Sequence, residues 1–206
     1  MSQQTLVIAS HNRGKLVEIA DLLEQESLNL ISAADAGIGD VEETGRTFVE
    51  NALLKARNAC QQTGHAALGD DSGLEVDYLN GAPGIFSSRF AGPDATDSSN
   101  LEKLLTALQG VPHAQRSARF RCCIVVLRHV DDPAPLICEG SWEGHIAEKA
   151  KGDNGFGYDP VFLPGDAIGT AAQLSAAQKQ TLSHRATALL QLKAQLHRFL
   201  CHVRHA

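Results

Sequence analysis

The sequence predicts an α/β fold with a long hairpin inside it, and three observations carry that reading. Stretches with helical apolar spacing alternate with short apolar runs along the 206 residues. Two long apolar stretches, 117–128 and 136–146, flank Asp131-Asp132-Pro133-Ala134-Pro135 and form a hairpin inside that alternation. The composition, 43% hydrophobic and 20% charged, is that of a globular chain and excludes disordered and fibrous classes. A chain of this length buries about 70% of its unfolded surface, so neither disulfides nor a structural metal are required. One compact domain spanning 1–206, or two small lobes sharing a cleft, fits the length.

Residues 5–10 form a short buried opening strand, after which Asn12 caps a helix with Leu16, Ile19, Ala20 and Leu23 on one face. A second apolar stretch covers 28–32, followed by an acidic, glycine-containing loop through Glu42, Glu43 and Gly45. Thr47 and Glu50 make a capping-box pattern for the next helix. Its buried stripe is Phe48, Val49, Ala52, Leu53, Ala56 and Cys60, with Asn51 and Lys55 on another face. Residues 66–69 read as a strand running into Asp70-Asp71-Ser72-Gly73, and 74–79 as another strand ending at the Asn80-Gly81 turn. A loop rich in Gly, Pro and Ser, 81–93, leads to a helix carrying Leu101, Leu104, Leu105 and Leu108, stopped by Gly110 and Pro112. After the hairpin comes a glycine-rich loop, 152–159, and the last helix carries Leu189, Leu192, Leu196 and Phe199 on one side.

Charge and cysteine usage narrow the function classes. Eighteen Lys and Arg against 24 Asp and Glu give a net charge of -6, which argues against a nucleic-acid or polybasic membrane surface. No apolar run approaches the roughly 20 residues of a membrane span, and Met1-Ser2-Gln3-Gln4 has no secretory character. Five cysteines without a CxxC pair read as buried thiols of a cytoplasmic protein. His197, His202 and His205 lack zincin spacing and read as a surface end.

Five segments carry candidate chemistry. Ser10-His11-Asn12-Arg13-Gly14-Lys15 stands where a strand gives way to a helix, so free N–H groups, the helix dipole and Lys15 could hold a phosphate. It lacks the upstream glycine of a Walker A loop, and an ordinary turn with a surface lysine gives the same letters. Glu42-Glu43 and Asp70-Asp71 offer oxygen ligands of the kind magnesium takes beside substrate phosphates, or simply an acidic loop and a turn. Asn51 and Lys55, four apart, share a helix face. Gly155-Phe156-Gly157-Tyr158-Asp159-Pro160 leaves a ring face open for stacking, or packs its Phe inward as a plain turn. Ser183 caps the last helix, whose His184 and Arg185 can donate hydrogen bonds to a keto oxygen or simply stand in solvent.

The order of these segments resembles the inosine/xanthosine triphosphate pyrophosphatase family from Val7 to about Leu196. The carriers are Ser10-x-Asn12-x-x-Lys15, Glu42-Glu43-Thr44-Gly45, Phe48-x-Glu50-Asn51-Ala52-x-x-Lys55-Ala56 and Asp70-Asp71-Ser72-Gly73-Leu74. Gly81-Ala82-Pro83-Gly84-Ile85, Phe156-Gly157-Tyr158-Asp159-Pro160 and Ser183-His184-Arg185 complete the series. His11 stands where many relatives carry glycine, which changes the loop's freedom and leaves its Ser, Asn and Lys in place. The resemblance implies an elongated α/β fold with a mixed central sheet, flanking helices, two lobes around a substrate cleft, and a homodimer. It implies magnesium-dependent hydrolysis of dITP, ITP and XTP to the monophosphate and pyrophosphate. In its terms Ser10, His11, Asn12, Arg13, Gly14 and Lys15 hold the triphosphate with Lys55, and Ser72 touches substrate. Asp71 is the catalytic carboxylate (base, Mg2+ ligand or both), with Glu42 or its neighbour Glu43 as a second ligand. Phe156, Gly157, Tyr158, Asp159, Lys179, His184 and Arg185 surround the base.

Overall fold

The computed structural model describes residues 3–23 and 27–201. The side chain of Arg13, assigned above to the triphosphate, lies outside the described positions, as do Met1, Ser2, His202 and His205. The strands are β1 (Gln4–Ala9), β2 (Leu28–Ser32), β3 (Ala66–Val76), β4 (Ser117–Leu127), β5 (Leu136–Ile146) and β6 (Phe162–Pro164). The helices are α1 (Arg13–Leu23), α2 (Phe48–Thr63), α3 (Asp97–Ala107), α4 (Ala176–Leu182) and α5 (His184–Cys201). The strands form one six-stranded sheet in the order β2-β1-β3-β4-β5-β6. It is mixed, as expected: β1 pairs in parallel with β2 and β3, and β5 pairs antiparallel with β6.

The chain divides into two compact units, the first comprising Met1–Asp71, Cys123–Glu139 and Ala188–Ala206, the second Ser72–Cys122 and Gly140–Thr187. In the first unit Val7, Ala33, Ala52, Ala56, Ala59, Cys60, Ala67, Cys123, Val125 and Leu127 make the core. The small residues of α2 permit close approach to the sheet. A Cβ built on Gly69 of β3 would sit 2.1 Å from the Ala52 carbonyl oxygen and 2.9 Å from the Ala56 nitrogen, so only glycine fits there. Cys60, Cys122, Cys123 and Cys138 are buried free thiols, whereas Cys201 is exposed. Burial raises Cys60 and Cys138 to about 11 and Cys123 to about 12, which keeps them protonated and inert.

In the second unit Leu74, Leu104, Leu108, Phe120, Trp142, Ile146 and Phe162 form the core. Arg116 is 4% exposed and its guanidinium is bonded to backbone carbonyls. Its guanidinium donates to the carbonyl oxygens of Val111 (2.9 Å), Ala147 (3.0 Å) and Leu108 (2.7 Å), tying the connection between α3 and β4 to the segment that follows β5.

Local chemistry explains the element boundaries. Asn12 caps α1 as expected, accepting from the Lys15 N–H at 3.1 Å. Thr47 caps α2 by accepting from Glu50, but the Glu50 carboxylate takes the Arg46 N–H at 2.7 Å instead of completing the box. β3 corrects the reading of two strands around a turn: it runs unbroken through Asp70-Asp71-Ser72-Gly73 and ends at Val76, where 77–79 form a single 3-10 turn. β6 and α4 were not anticipated. Three and seven residues are too short to show a period.

Candidate active site

The first unit brings together the ends of α1, α2 and β3. Ser10 accepts from the Asn12 N–H at 3.2 Å, which folds the β1–α1 turn and starts the helix that carries Lys15. The Lys15 ammonium forms an ion pair with Asp70, whose side chain is fully buried. His11 pairs through Nδ1 with Asp40 at 3.2 Å. Gly14 lies half-buried in the first turn of α1.

One turn apart on α2, Asn51 and Lys55 reach the neighbouring carboxylate. The Asn51 amide donates to Asp71 Oδ2 at 3.2 Å, and its Oδ1 accepts from the Gly45 N–H at 2.9 Å. Asn51 is wholly buried, so its face does not lie outside the core as its distance from the apolar stripe suggested. Lys55 Nζ donates to Asp71 Oδ1 at 3.2 Å and to the Asp70 carbonyl at 3.1 Å, and pairs with Glu43 at 2.5 Å. Pleating sends Asp70 and Asp71 to opposite sides of β3, and each meets a different lysine. Glu42 is exposed; of the adjacent glutamates, it is Glu43 that faces Lys55.

Electrostatics follow from burial and from this pairing. Burial pushes the Asp71 carboxyl above its ordinary value, more strongly than the charges of Lys55 and Lys15 and the Asn51 hydrogen bond pull it down, and Glu43 adds to the rise. Burial works against the Lys55 ammonium, but Asp71, Glu43 and Asp70 together outweigh it and raise its pKa, so Lys55 remains charged. Three carboxylates therefore share two ammonium groups in a largely water-excluded setting.

Among the described residues no three His, Cys, Asp or Glu side chains form a group able to enclose a metal ion. Magnesium does not require one: it takes one or two carboxylates and completes its shell with phosphate oxygens and water. The hard oxygen donors of Asp71 and Glu43, which share Lys55, fit that requirement.

The second unit presents an aromatic ring beside cations. Phe156 is 38% exposed, set in a tight turn in which its N–H donates to Asp159 Oδ2 at 2.9 Å and the Asp159 N–H donates back to its carbonyl at 3.2 Å. Asp159 is buried and also pairs with Lys179, whose ammonium stands 4.8 Å from the Phe156 ring centre. Gly155 lies at φ +79°, and a Cβ there would meet the Asp159 carboxylate at 2.1 Å. Gly157 donates to Asp97 at 2.8 Å. The Arg185 guanidinium lies 6.0 Å from the Phe156 ring and 3.4 Å from Ser72 Oγ. Buried His184 stacks on Phe120 at 4.8 Å with planes 12° apart. Tyr158 is different: its ring is part of the core and its hydroxyl donates to the Ser87 carbonyl at 2.8 Å, so it supports the turn from beneath.

The structure thus groups Lys15, Lys55 and Asp71 in the first unit, and Ser72, Phe156, Asp159, Lys179 and Arg185 in the second. Asn51, Asp70 and Glu43 were all among the sequence candidates, but without a role in contacting Asp71 or the lysines. The spacing of Asn51 and Lys55 was the available signal for the first, whereas no period separates Glu43 from Glu42 in an irregular loop.

Comparison with known proteins agrees with the motif order. The model of the Ham1 family matches residues 6–195. The chain is 53% identical over 191 residues to the dITP/XTP pyrophosphatase of Vibrio vulnificus (strain YJ016), covering 93% of this chain and 96% of the relative. It is 54% identical over 191 residues to the dITP/XTP pyrophosphatase of Photobacterium profundum, covering 93% and 97%. A solved HAM1 protein from Coxiella burnetii shares the fold with a TM-score of 0.89 at 48% identity, covering 95% of this chain and 99% of that one. The Staphylococcus aureus Ham1 protein gives 0.85 at 40% identity, covering 95% and 100%. With a family match over nearly its whole length and relatives more than half identical, the chain belongs to the Ham1 family.

Proposed function

We propose that this chain is a nucleoside-triphosphate pyrophosphatase that hydrolyses dITP, ITP and XTP to the monophosphate and pyrophosphate. The observation that carries the reading is Asp71, a buried carboxylate oriented by Asn51 and Lys55 in a cluster with Lys15. Water attacks the α-phosphorus poorly because anionic oxygens flank it. Asp71 accepts the proton of the attacking water, and the raised basicity that burial gives it suits that task. Lys15 and Lys55 supply positive charge to the triphosphate and to the departing pyrophosphate, the electrostatic positioning on which phosphoryl chemistry chiefly depends. Bound beside Asp71 with Glu42 or Glu43, magnesium would neutralise phosphate charge as a Lewis acid.

Base selection falls to the second unit. Phe156 offers its ring for stacking, with Asp159 and Lys179 holding the turn behind it. Inosine and xanthosine present an acceptor at C6, where adenosine presents a donor. Donors of Arg185 and His184 can meet the first as hydrogen-bond partners, whereas the second would face them donor to donor, which disfavours adenine.

A homodimer in the cytoplasm completes the reading, supported by the family resemblance and by buried thiols suited to a reducing compartment. Among the described residues no helix is long and apolar enough to cross a membrane. The test offers dITP, ITP, XTP, ATP, GTP and UTP with magnesium and measures pyrophosphate and orthophosphate separately. Pyrophosphate from the first three is expected, whereas orthophosphate as the primary product would place attack at the γ-phosphorus. Asp71→Asn should abolish turnover and retain nucleotide binding; full activity would remove Asp71 from the chemistry.

A further inference from the structure

Ser87 is buried in the second unit, in the turn 84–89 that follows the Gly81–Ile85 motif. Its hydroxyl donates to the Gly84 carbonyl at 2.6 Å, which closes that turn, and accepts from the Leu74 N–H of β3 at 2.8 Å. Its own carbonyl accepts from the Tyr158 hydroxyl at 2.8 Å. Two residues before Leu74 stands Ser72, whose Oγ is 3.4 Å from the Arg185 guanidinium, and two residues before Tyr158 stands Phe156. One serine thus ties the strand that presents Ser72 to the turn that presents Phe156. The tie has little room to slip. Leu74 is fully buried, so its N–H has no water to turn to. The segment that carries Ser87 is fastened to β3 by the Val76 N–H on the Ala82 carbonyl at 3.3 Å and the Gly81 N–H on the Val76 carbonyl at 3.0 Å. Buried Asn100 of α3 holds its far side, accepting from the Ala91 N–H at 2.7 Å and donating to the Ser88 carbonyl at 3.0 Å.

We propose that Ser87 is a positioning residue for base binding: through Leu74 on one side and Tyr158 on the other it sets the separation of Ser72 and Phe156 without itself touching the nucleotide. Hydrogen bonds tolerate only a few tenths of an ångström in length, and a ring stacks on a base only at contact distance, so both contacts depend on that separation. The proposal rests on the pyrophosphatase reading for what Ser72 and Phe156 hold, a keto purine, whereas the joint between strand and turn belongs to the protein alone.

The experiment measures binding of inosine monophosphate and of inorganic pyrophosphate to the full chain by calorimetry, for wild type, Ser87→Ala, Tyr158→Phe and the double variant. Each single variant is expected to bind the monophosphate roughly tenfold more weakly, the worth of one net hydrogen bond, with pyrophosphate affinity unchanged. Because both act through one joint, the double variant should lose clearly less than the product of the two single losses. Arg116→Leu is the control for plain destabilisation, since its partners lie at Leu108, Val111 and Ala147; it should lower the melting temperature and leave monophosphate affinity as in wild type. A ligand-free arm follows amide hydrogen exchange: Ser87→Ala and Tyr158→Phe should speed exchange at Phe156 and Asp159 relative to Leu104 of α3, and Arg116→Leu should not. Unchanged monophosphate affinity in Ser87→Ala, an equal loss in Arg116→Leu, or losses that multiply in the double variant overturns the proposal. If Ser87→Ala fails to fold, Tyr158→Phe against Arg116→Leu decides in its place. Failure of wild type to bind the monophosphate would sink the base-binding reading of this unit, while the exchange arm still decides whether Ser87 sets the turn.

Discussion

Replacing Gly69 by alanine tests whether one packing contact sets both stability and catalysis. The new methyl would lie 2.1 Å from the Ala52 carbonyl oxygen and 2.9 Å from the Ala56 nitrogen, both on the backbone of α2. Non-bonded heavy atoms reach their optimum near roughly 3.5–4.0 Å, so helix and strand must part by more than about 1 Å. Neither neighbour is a flexible side-chain end that could swing aside. Overpacking of this kind costs about 1–3 kcal/mol, and lost contact along Ala52, Ala56 and Ala59 places this site at the upper end. The same movement carries Asn51 and Lys55 away from Asp71. A displacement of about 1 Å in a catalytic constellation costs on the order of 100-fold in rate. Urea unfolding and kcat/KM for dITP measure the two effects together. Gly39→Ala is the control, because a Cβ there meets nothing within 4 Å. An unchanged urea midpoint with kcat/KM within about threefold of wild type would refute the claim that the glycine sets the distance between α2 and β3.

Three further outcomes follow from buried polar groups. Arg116→Leu strips donors from the carbonyls of Leu108, Val111 and Ala147, at about 1–3 kcal/mol for each that stays dry; a melting temperature lowered by roughly 6–12 °C is expected, and an unchanged value would mean that water replaces the guanidinium. Asp132 is fully buried, yet hydrogen bonds from Arg128 and Ala134 override the effect of burial and lower its pKa from 3.8 to about 2. Because the folded value is depressed, the stabilisation, about 2 kcal/mol, is complete above the unfolded value and disappears as pH falls through about 2. The melting-temperature gap between wild type and Asp132→Asn should therefore narrow from pH 5 to pH 2, and a constant gap would contradict this. Gly155→Ala pushes a methyl into the Asp159 carboxylate at a positive φ and should disturb the turn that presents Phe156; KM for dITP should rise by roughly tenfold with a smaller fall in kcat, whereas an unaltered KM would dissociate that turn from base binding.

Much of the frame was legible because it rests on local periodicity. The apolar stretch read at 28–32 coincides with β2, and Leu16, Ile19 and Leu23 located α1 by spacing alone. β3 was not, because Asp70 and Asp71 read as turn formers. Their place inside a buried strand depends on Lys15 and Lys55, which lie far away in sequence and supply the charge that makes burial tolerable. Tertiary pairing therefore overrode local propensity at the residues that carry the proposed chemistry. The site was legible in the same measure. Lys55 and Asn51 announced themselves by their shared helix face, but only coordinates distinguish Glu43 from Glu42, or Tyr158 in the core from Phe156 at the surface.

The buried carboxylates of the two units differ in a way that separates chemistry from scaffolding. Asp159 accepts from the Phe156 N–H and from Lys179, and the first of these donors is backbone within its own turn, so no ligand can take it away without undoing the loop. Asp71 is held by side chains: Asn51, which is anchored through Gly45, and Lys55, which it shares with Glu43. A lysine shared among carboxylates can turn to a phosphate at modest cost, because each acid retains another partner or gains a cation in exchange. A carboxylate tied to its own backbone has no such freedom. Exchangeable partners around Asp71 and fixed ones around Asp159 are what a reacting group and a supporting group respectively require.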